Sequence, residues 1–319
     1  MNVHHDDEES PVTERPVWLV TGAGRGLGRA LTRAALAAGE QVVATVRRAD
    51  ALADLRAEFP SALHTATADV RDREAVRAAV DAGVARFGRL DVVVNNAGYG
   101  LVGAAEEVGE AEARDIVDTN LLGPLWVAQA VLPHLRARGA GHIVQISTTG
   151  AVGAMPTLGL YNAGKWGLEG FSQALAGEVS RFGVRVTVAQ LGGFDTDWAG
   201  PGMHFARPSA VYDDLRRELF GTAEVPWRTE GPLGAPVDVA VEALRRHVVA
   251  AEGPFRLLVG ADAPGQVTTA LRARCEDYAG DSRFTWPTPG HPAPSTGGAE
   301  QRTSADRTYA TPSPGASRQ

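Results

Sequence analysis

Val17-Trp18-Leu19-Val20-Thr21-Gly22-Ala23-Gly24-Arg25-Gly26-Leu27-Gly28 runs from an apolar stretch into a glycine-rich turn, and a helical pattern opens inside that turn. Residues 17–21 read as a strand covered on both faces, because they are apolar almost without interruption. Glycines in a strand-to-helix turn let the backbone approach a pyrophosphate, whose charge is favoured at the helix N-terminus. A glycine-rich octapeptide alone is weak evidence, since glycines also serve plain turns. The strand before it and the helix after it make Gly22, Gly24, Arg25, Gly26, Leu27 and Gly28 candidates for a dinucleotide site.

Outward from this unit, short apolar runs alternate with longer helical patterns. Further strands are expected at 41–46, 63–66, 92–95, 142–147, 185–190 and 255–259, and helices at 27–38, 51–58, 72–87, 111–138, 161–182 and 237–249. Such alternation is the signature of βαβ units feeding a parallel sheet. The expected fold class is therefore α/β: a Rossmann-type, doubly wound, seven-stranded, mainly parallel sheet between two helix layers, built as a single domain over 16–282. Residues 1–15 lack hydrophobic periodicity and read as a flexible leader. Residues 283–319, rich in Pro, Ser and Gly, read as a disordered tail.

Composition narrows the function classes. Of 319 residues, 44% are hydrophobic and 22% charged, which is ordinary for a folded protein. The net charge of −7 is dispersed and no basic run carries interleaved aromatics, so a nucleic-acid partner is not expected. No apolar stretch approaches the roughly 18 residues that span a bilayer, and the acidic N-terminus is unlike a signal peptide, so a cytoplasmic enzyme without a membrane partner is expected. The single cysteine, Cys275, has no intramolecular partner. His4 and His5 lack further ligands, and no metal site is expected.

The end of the second strand bears on the choice of dinucleotide. An acid there pairs with the adenosine ribose hydroxyls of NAD, whereas a 2′-phosphate needs positive charge. The chain reads Ala44-Thr45-Val46-Arg47-Arg48, with no acid before Asp50. Arg47 and Arg48, joined by Arg25 from the turn, can grip a phosphate by charge-assisted hydrogen bonds; the alternative is that they are solvated surface charges. NADP(H) is favoured over NAD(H).

Tyr161 and Lys165 stand four apart at the start of an expected helix and so share a face. A tyrosine hydroxyl ordinarily titrates near ~10, and an ammonium beside it favours the phenolate. Such a pair can pass a proton to a carbonyl being reduced, or take one from an alcohol being oxidised. In isolation, a Tyr–Lys pair at this spacing is equally an ordinary helix surface.

With these segments in order, the chain resembles the short-chain dehydrogenase/reductase family. The matching segments are TGAGRGLG at 21–28, Asp69-Val70, Asn95-Asn96-Ala97-Gly98, Asn120 within TNLLGPLWVAQAVLPHL, the strand HIVQIS, and Tyr161-Asn162-Ala163-Gly164-Lys165. They run in order over about 17–198, and the resemblance is expected to extend to about 265. The resemblance implies that Asp69 and Val70 contact the adenine and that Asn96, followed by Ala97 and Gly98, lies by the cofactor and braces the sheet. It also implies that Lys165 holds the nicotinamide ribose, that Asn120 holds a proton-relaying water, and that Thr196 contacts the carboxamide. The substrate-orienting hydroxyl, a serine in most such proteins, falls on Thr148, with Ser147 one residue before it as the alternative. Leu191 stands where a proline is usual, giving up a fixed φ and gaining an N–H.

The aromatic-rich segment 198–233, with Trp198, Met203, His204, Phe205, Tyr212, Phe220 and Trp227, falls where this family covers its substrate. It suggests an apolar, ring-bearing molecule, although loop aromatics also pack loops down. His204 is either a second acid–base group or a solvated side chain. Asn120, Tyr161 and Lys165 favour an enzyme acting on a small carbonyl or alcohol over an epimerase, a dehydratase or a cofactor-sensing protein. A homodimer or homotetramer is compatible with the long helix expected at 111–138.

Overall fold

Strand β1 (Val17–Val20) is completely buried, and its side chains alternate between two apolar layers. Trp18 and Val20 pack into one layer, Val17 and Leu19 into the other. The computed structural model describes residues 15–196, 202–226, 234–250 and 252–284. All seven expected strands form: β1, β2 (Gln41–Val46), β3 (Leu63–Thr67), β4 (Val92–Asn95), β6 (Gly141–Thr148), β7 (Val184–Leu191) and β11 (Arg256–Val259). They make one sheet in the order β11-β7-β6-β4-β1-β2-β3, and every pairing is parallel.

Helices α1 (Gly26–Ala37), α2 (Ala53–Glu58) and α8 (Val237–Val249) cover the Trp18 face, through Leu27, Leu31, Leu36, Leu52, Leu55 and Leu244. Helices α3 (Arg73–Phe87), α5 (Gly123–Arg138) and α6 (Gly159–Val179) cover the other, through Val76, Val80, Val131, Leu135 and Leu175. Each such side chain contributes on the order of 1.5–3 kcal/mol on burial. Asp72 caps α3 by accepting from the amides of Glu74 and Ala75, both at 3.0 Å. The strand order reverses between β1 and β4, and a crevice at the carboxyl ends of strands is expected at such a switch point.

Three differences from the sequence expectation have physical causes. The single helix at 111–138 is interrupted: α4 (Glu110–Val117) passes through a π-helical turn, Asp118–Leu122, into α5, and the turn drives Asn120 fully inward. Two small parallel pairings not expected from the sequence join β5 (Gly100–Val102) to β9 (Met203–Phe205) and β8 (Phe194–Asp195) to β10 (Ala235–Pro236). Runs of two or three residues carry no readable period. Two further helices, α7 (Asp213–Phe220) and α9 (Ala263–Ala279), bury little on any face: Arg216 alone in α7, Ala263 alone in α9. Contacts divide the chain after Ala273, the described residues from Arg274 to Phe284 falling outside the main unit. Residues 1–14, with His4 and His5, and residues 285–319 lie outside the described residues, as do Trp198 and Trp227. Among the described residues no helix is long and apolar enough to cross a membrane, and no cluster of three or more His, Cys, Asp or Glu side chains could hold a metal.

At the edge of the sheet opposite the crevice, two histidines are buried in a directional chain. Arg185 can only donate, so its Nη2, 2.9 Å from His142 Nδ1, places the imidazole proton on Nε2. That nitrogen lies 2.9 Å from Thr187 Oγ1, which lies 2.8 Å from His247 Nε2. A second proton on His142 would face the guanidinium in a buried site. Burial first, then the Arg185 charge, pushes its pKa down to about 3, and the same two causes lower that of His247. Both histidines are therefore neutral when folded and protonate more readily when unfolded. The contribution of each is full above about pH 6.5 and is lost as pH falls below it, for His142 down to about 3. For His142 alone the loss is roughly 2 kcal/mol by pH 5. Melting curves from pH 7 to 4.5 are expected to show this decline, and His142→Gln to flatten it.

Candidate active site

The crevice at the switch point is built first from backbone. Thr21, just beyond β1, donates its amide to Val94 O at 3.0 Å, and its Oγ1 accepts from the amides of Asn96 and Ala97, both at 3.0 Å. Asn96 answers with Nδ2 on Thr21 O at 2.9 Å and on Gly22 O at 3.3 Å. The glycine turn is thus laced to the end of β4. Gly22 has φ +65, and a Cβ there would lie 2.9 Å from Ala97 Cα. A Cβ on Gly28 would lie 2.4 Å from Asn96 Nδ2 and 2.6 Å from Gly22 O. The sequence singled out Asn96 as the brace; Thr21, inside the quoted stretch, is its unrecognised counterpart.

Around this turn opens a cleft of about 710 Å³. It brings together nearly every residue the sequence proposed: Gly22, Gly24, Arg25, Gly26, Leu27, Arg47, Arg48, Asp69, Val70, Asn96, Ala97, Gly98, Ser147, Thr148, Tyr161, Lys165 and Thr196 all line it. Gly28 and Asn120 stand behind the wall. Arg48 is exposed and lies 3.6 Å from Asp50, so the first acid after the strand partly engages it. Asp69 is gripped by Arg71 through Nη2 at 2.9 Å, and Arg71 reaches Asp115 at 2.8 Å. The Arg71 guanidinium accordingly holds the Asp69 carboxyl below its usual range. Arg71 went unrecognised, although it follows Asp69-Val70 directly.

The chemical end of the cleft is set by β6 and α6. Successive strand residues point to opposite faces, so one of Ser147 and Thr148 must turn away. Thr148 hydrogen-bonds Tyr161 and accepts from Gly150 N at 3.2 Å. Ser147 donates to Glu169 Oε1 at 2.7 Å. Of the two alternatives, Thr148 is the hydroxyl beside the tyrosine. Lys165, also buried, donates from Nζ to Ile146 O at 2.7 Å. Asn120 brackets Tyr99, accepting from its amide at 3.2 Å and donating to its carbonyl at 2.9 Å.

The expected depression of the Tyr161 pKa is not found: burial pushes it well above the usual phenol range, and the Thr148 hydrogen bond only partly offsets this. Burial also drives Lys165 down to about 8, partly opposed by the Glu169 carboxylate. Leu191 lines the cleft without the rigidity of a proline. The Leu191-Gly192-Gly193 loop is held instead by Asp262, whose Oδ2 accepts from Gly193 N at 2.9 Å. His204 sits on β9, exposed at the cleft, its ring 4.5 Å from that of Tyr99, while Met203 and Phe205 pack against the small buried cluster that holds Leu101, Ile116 and Tyr161. Those two side chains hold the segment down, the second of the roles open to loop aromatics. Its anchor is a buried ion pair, Arg216 Nη1 to Glu107 Oε1 at 2.7 Å.

A nucleotide-sized cleft at the switch point of a parallel sheet, ending in a buried Tyr–Lys pair beside the half-buried Thr148, defines a dinucleotide-dependent enzyme of the doubly wound class. The family model for short chain dehydrogenase matches residues 16–203. Oxidoreductase BOA17 of Botryotinia fuckeliana is 37% identical over 274 residues, 82% of this chain and 96% of that protein. Among solved structures, a short-chain dehydrogenase from Streptomyces avermitilis superposes with TM-score 0.74 at 35% identity, covering 84% of this chain and 98% of its own. A short chain dehydrogenase from Burkholderia cenocepacia in complex with NADP superposes with TM-score 0.64 at 25% identity, covering 86% and 99%. The chain belongs to the short-chain dehydrogenase/reductase family, as an oxidoreductase acting on CH–OH donors and a small-molecule substrate.

Because a methyl group at Gly28 meets both the Asn96 side chain and the Gly22 carbonyl, Gly28→Ala is expected to destabilise the protein by about 1–3 kcal/mol. Thermal unfolding checks this, and an unchanged melting temperature contradicts the packing described.

Proposed function

We propose that the protein interconverts an apolar carbonyl compound and its alcohol with NADP(H), Tyr161 serving as general acid and base. The observation that carries this is the hydrogen bond between Thr148 and Tyr161 at the floor of the cleft, with the Lys165 ammonium buried behind it. The cradle suits the cofactor: Gly22, Gly24 and Gly26 leave backbone close to the cleft at the start of α1, and Arg25, Arg47 and Arg48 stand at its mouth. When bound, NADP(H) supplies or receives the hydride.

This chain's own residues do the rest. Thr148 donates to the substrate oxygen and polarises it. In reduction Tyr161 gives its proton to that oxygen, so the carbonyl carbon gains a hydride and the oxygen a proton. Burial favours the protonated phenol that this direction uses. Lys165 stabilises the phenolate left behind, and in oxidation the same groups run in reverse. Leu191 and Phe194 give the substrate end an apolar wall, while Tyr99 and His204 offer polar edges. Arg47 and Arg48 favour a phosphate at the adenosine ribose, and the NADP complex of the Burkholderia cenocepacia structure is in keeping with that preference.

Incubation with NADPH and a panel of ketones, followed by absorbance near ~340 nm, tests the reaction. Tyr161→Phe is expected to lower turnover by about 10²–10⁴-fold. Thr148→Ala is expected to cost about 10²–10³-fold and far more than Ser147→Ala. Turnover surviving in Tyr161→Phe refutes the assignment. For the cofactor, Arg47→Ala is expected to weaken NADPH binding by calorimetry about 10-fold while leaving NADH binding nearly unchanged. Equal binding of the two cofactors by the unaltered protein removes the NADP preference.

A further inference from the structure

Behind the catalytic cluster lies a buried carboxylate that the reaction above does not use. Glu169 is one helical turn beyond Lys165, so Tyr161, Lys165 and Glu169 follow one face of α6. Its side chain is 8% exposed. Four donor contacts converge on it: Ser147 Oγ at 2.7 Å, Gln190 Nε2 at 3.0 and 2.9 Å to its two oxygens, and Arg256 Nε at 3.4 Å. Ser147 and Gln190 are cross-strand partners in the β6–β7 register, on the same face of the sheet. A carboxylate accepting from both fixes which face each strand end presents.

We propose that Glu169 is a positioning residue for the catalytic pair: it engages the Ser147 hydroxyl and the Gln190 amide, leaving Thr148 as the hydroxyl bonded to Tyr161, and it sets a negative charge one turn from the Lys165 ammonium. The proposal rests on the catalytic assignment of Tyr161 and Lys165. A buried ammonium tends to lose its proton, and Lys165 is already held down to about 8 by burial. Glu169 opposes that loss. The titratable and charged groups described around Lys165 are Tyr161 and Glu169 on its own helix; Asn120 from the π turn and Ile146 O from β6 are uncharged. Facing Glu169 are Lys165 and, from β11, the half-exposed Arg256. Arg256 therefore weakens the field that Glu169 exerts on Lys165.

One feature of the composition makes the test direct: Lys165 is the only lysine among the 319 residues. Protein labelled with [ε-¹³C]lysine gives a single side-chain resonance, and its titration reads the charge of this ammonium without turnover. Glu169→Gln keeps the shape and one acceptor oxygen, gives up the acceptor at the other position, and removes the charge; it is expected to move the Lys165 midpoint down by about one pH unit. Arg256→Gln, at the surface, is expected to move it up. The alkaline fall of kcat/KM, measured with any ketone the unaltered protein reduces, is expected to move with the midpoint in each case. Opposite shifts are not what a merely structural carboxylate gives, and Arg256→Gln keeps the question answerable if Glu169→Gln does not fold. Midpoints unmoved by these variants overturn the role of Glu169. If Tyr161→Phe is inert while the midpoints stay put, the role of Glu169 alone fails. Full turnover by Tyr161→Phe sinks the catalytic reading, and this inference with it.

Discussion

The exchange of hydrogen bonds between Thr21 and Asn96 is the constraint on which the rest of the cleft depends. A parallel sheet whose order reverses between β1 and β4 opens a crevice there by topology alone, but topology does not fix its shape. The two loops leaving these strands must run side by side, with their backbone groups satisfied in a partly buried place. Thr21 Oγ1 accepts two amides of the β4 loop, and Asn96 Nδ2 returns to two carbonyls of the β1 loop. The glycines follow from this closeness, since any side chain at Gly22 or Gly28 would push the loops apart.

The other half of the site is governed by burial of polar groups on α6. Tyr161, Lys165 and Glu169 are all buried on one helix face, which is costly unless each finds partners. Lys165 finds Ile146 O, Tyr161 finds Thr148, and Glu169 finds Ser147, Gln190 and Arg256. All but Arg256 come from β6, β7 or their ends, so the same contacts that satisfy the helix also register it against the sheet. A shift of β6 by one residue would exchange Ser147 and Thr148 and undo these pairings together.

The strands and most of the helices were legible because both faces of this sheet are covered, and near-continuous apolar runs such as Val92-Val93-Val94 have no other place to go. The glycine turn, Asn96, Tyr161 and Lys165 were legible from spacing within that frame. Three things were not. The π turn that buries Asn120 inserts a residue into a helical period, and the Gly123-Pro124 pair directly after it is the one local mark of the interruption. The small β5–β9 pairing is too short to show alternation. The choice between Ser147 and Thr148 depends on which face of β6 meets Glu169, a contact 22 residues distant in sequence. The spacing of Lys165 and Glu169 on one helix was available as a signal, but only the sheet register gives it meaning.

The high pKa of Tyr161 sharpens what the site demands of its surroundings. A phenol buried at this depth keeps its proton, and neither Thr148 nor the Lys165 ammonium reverses that in this arrangement. In the reaction proposed for this site, burial favours reduction, in which Tyr161 starts protonated, over oxidation, in which it must first be ionised. Oxidation at neutral pH requires additional positive charge at the phenol, and Lys165 provides it only while it remains protonated. Since burial holds that lysine near 8, a modest rise in pH removes the ammonium on which the phenolate depends. On the proposed mechanism, the groups that keep Lys165 charged therefore matter more for the oxidative direction than for the reductive one.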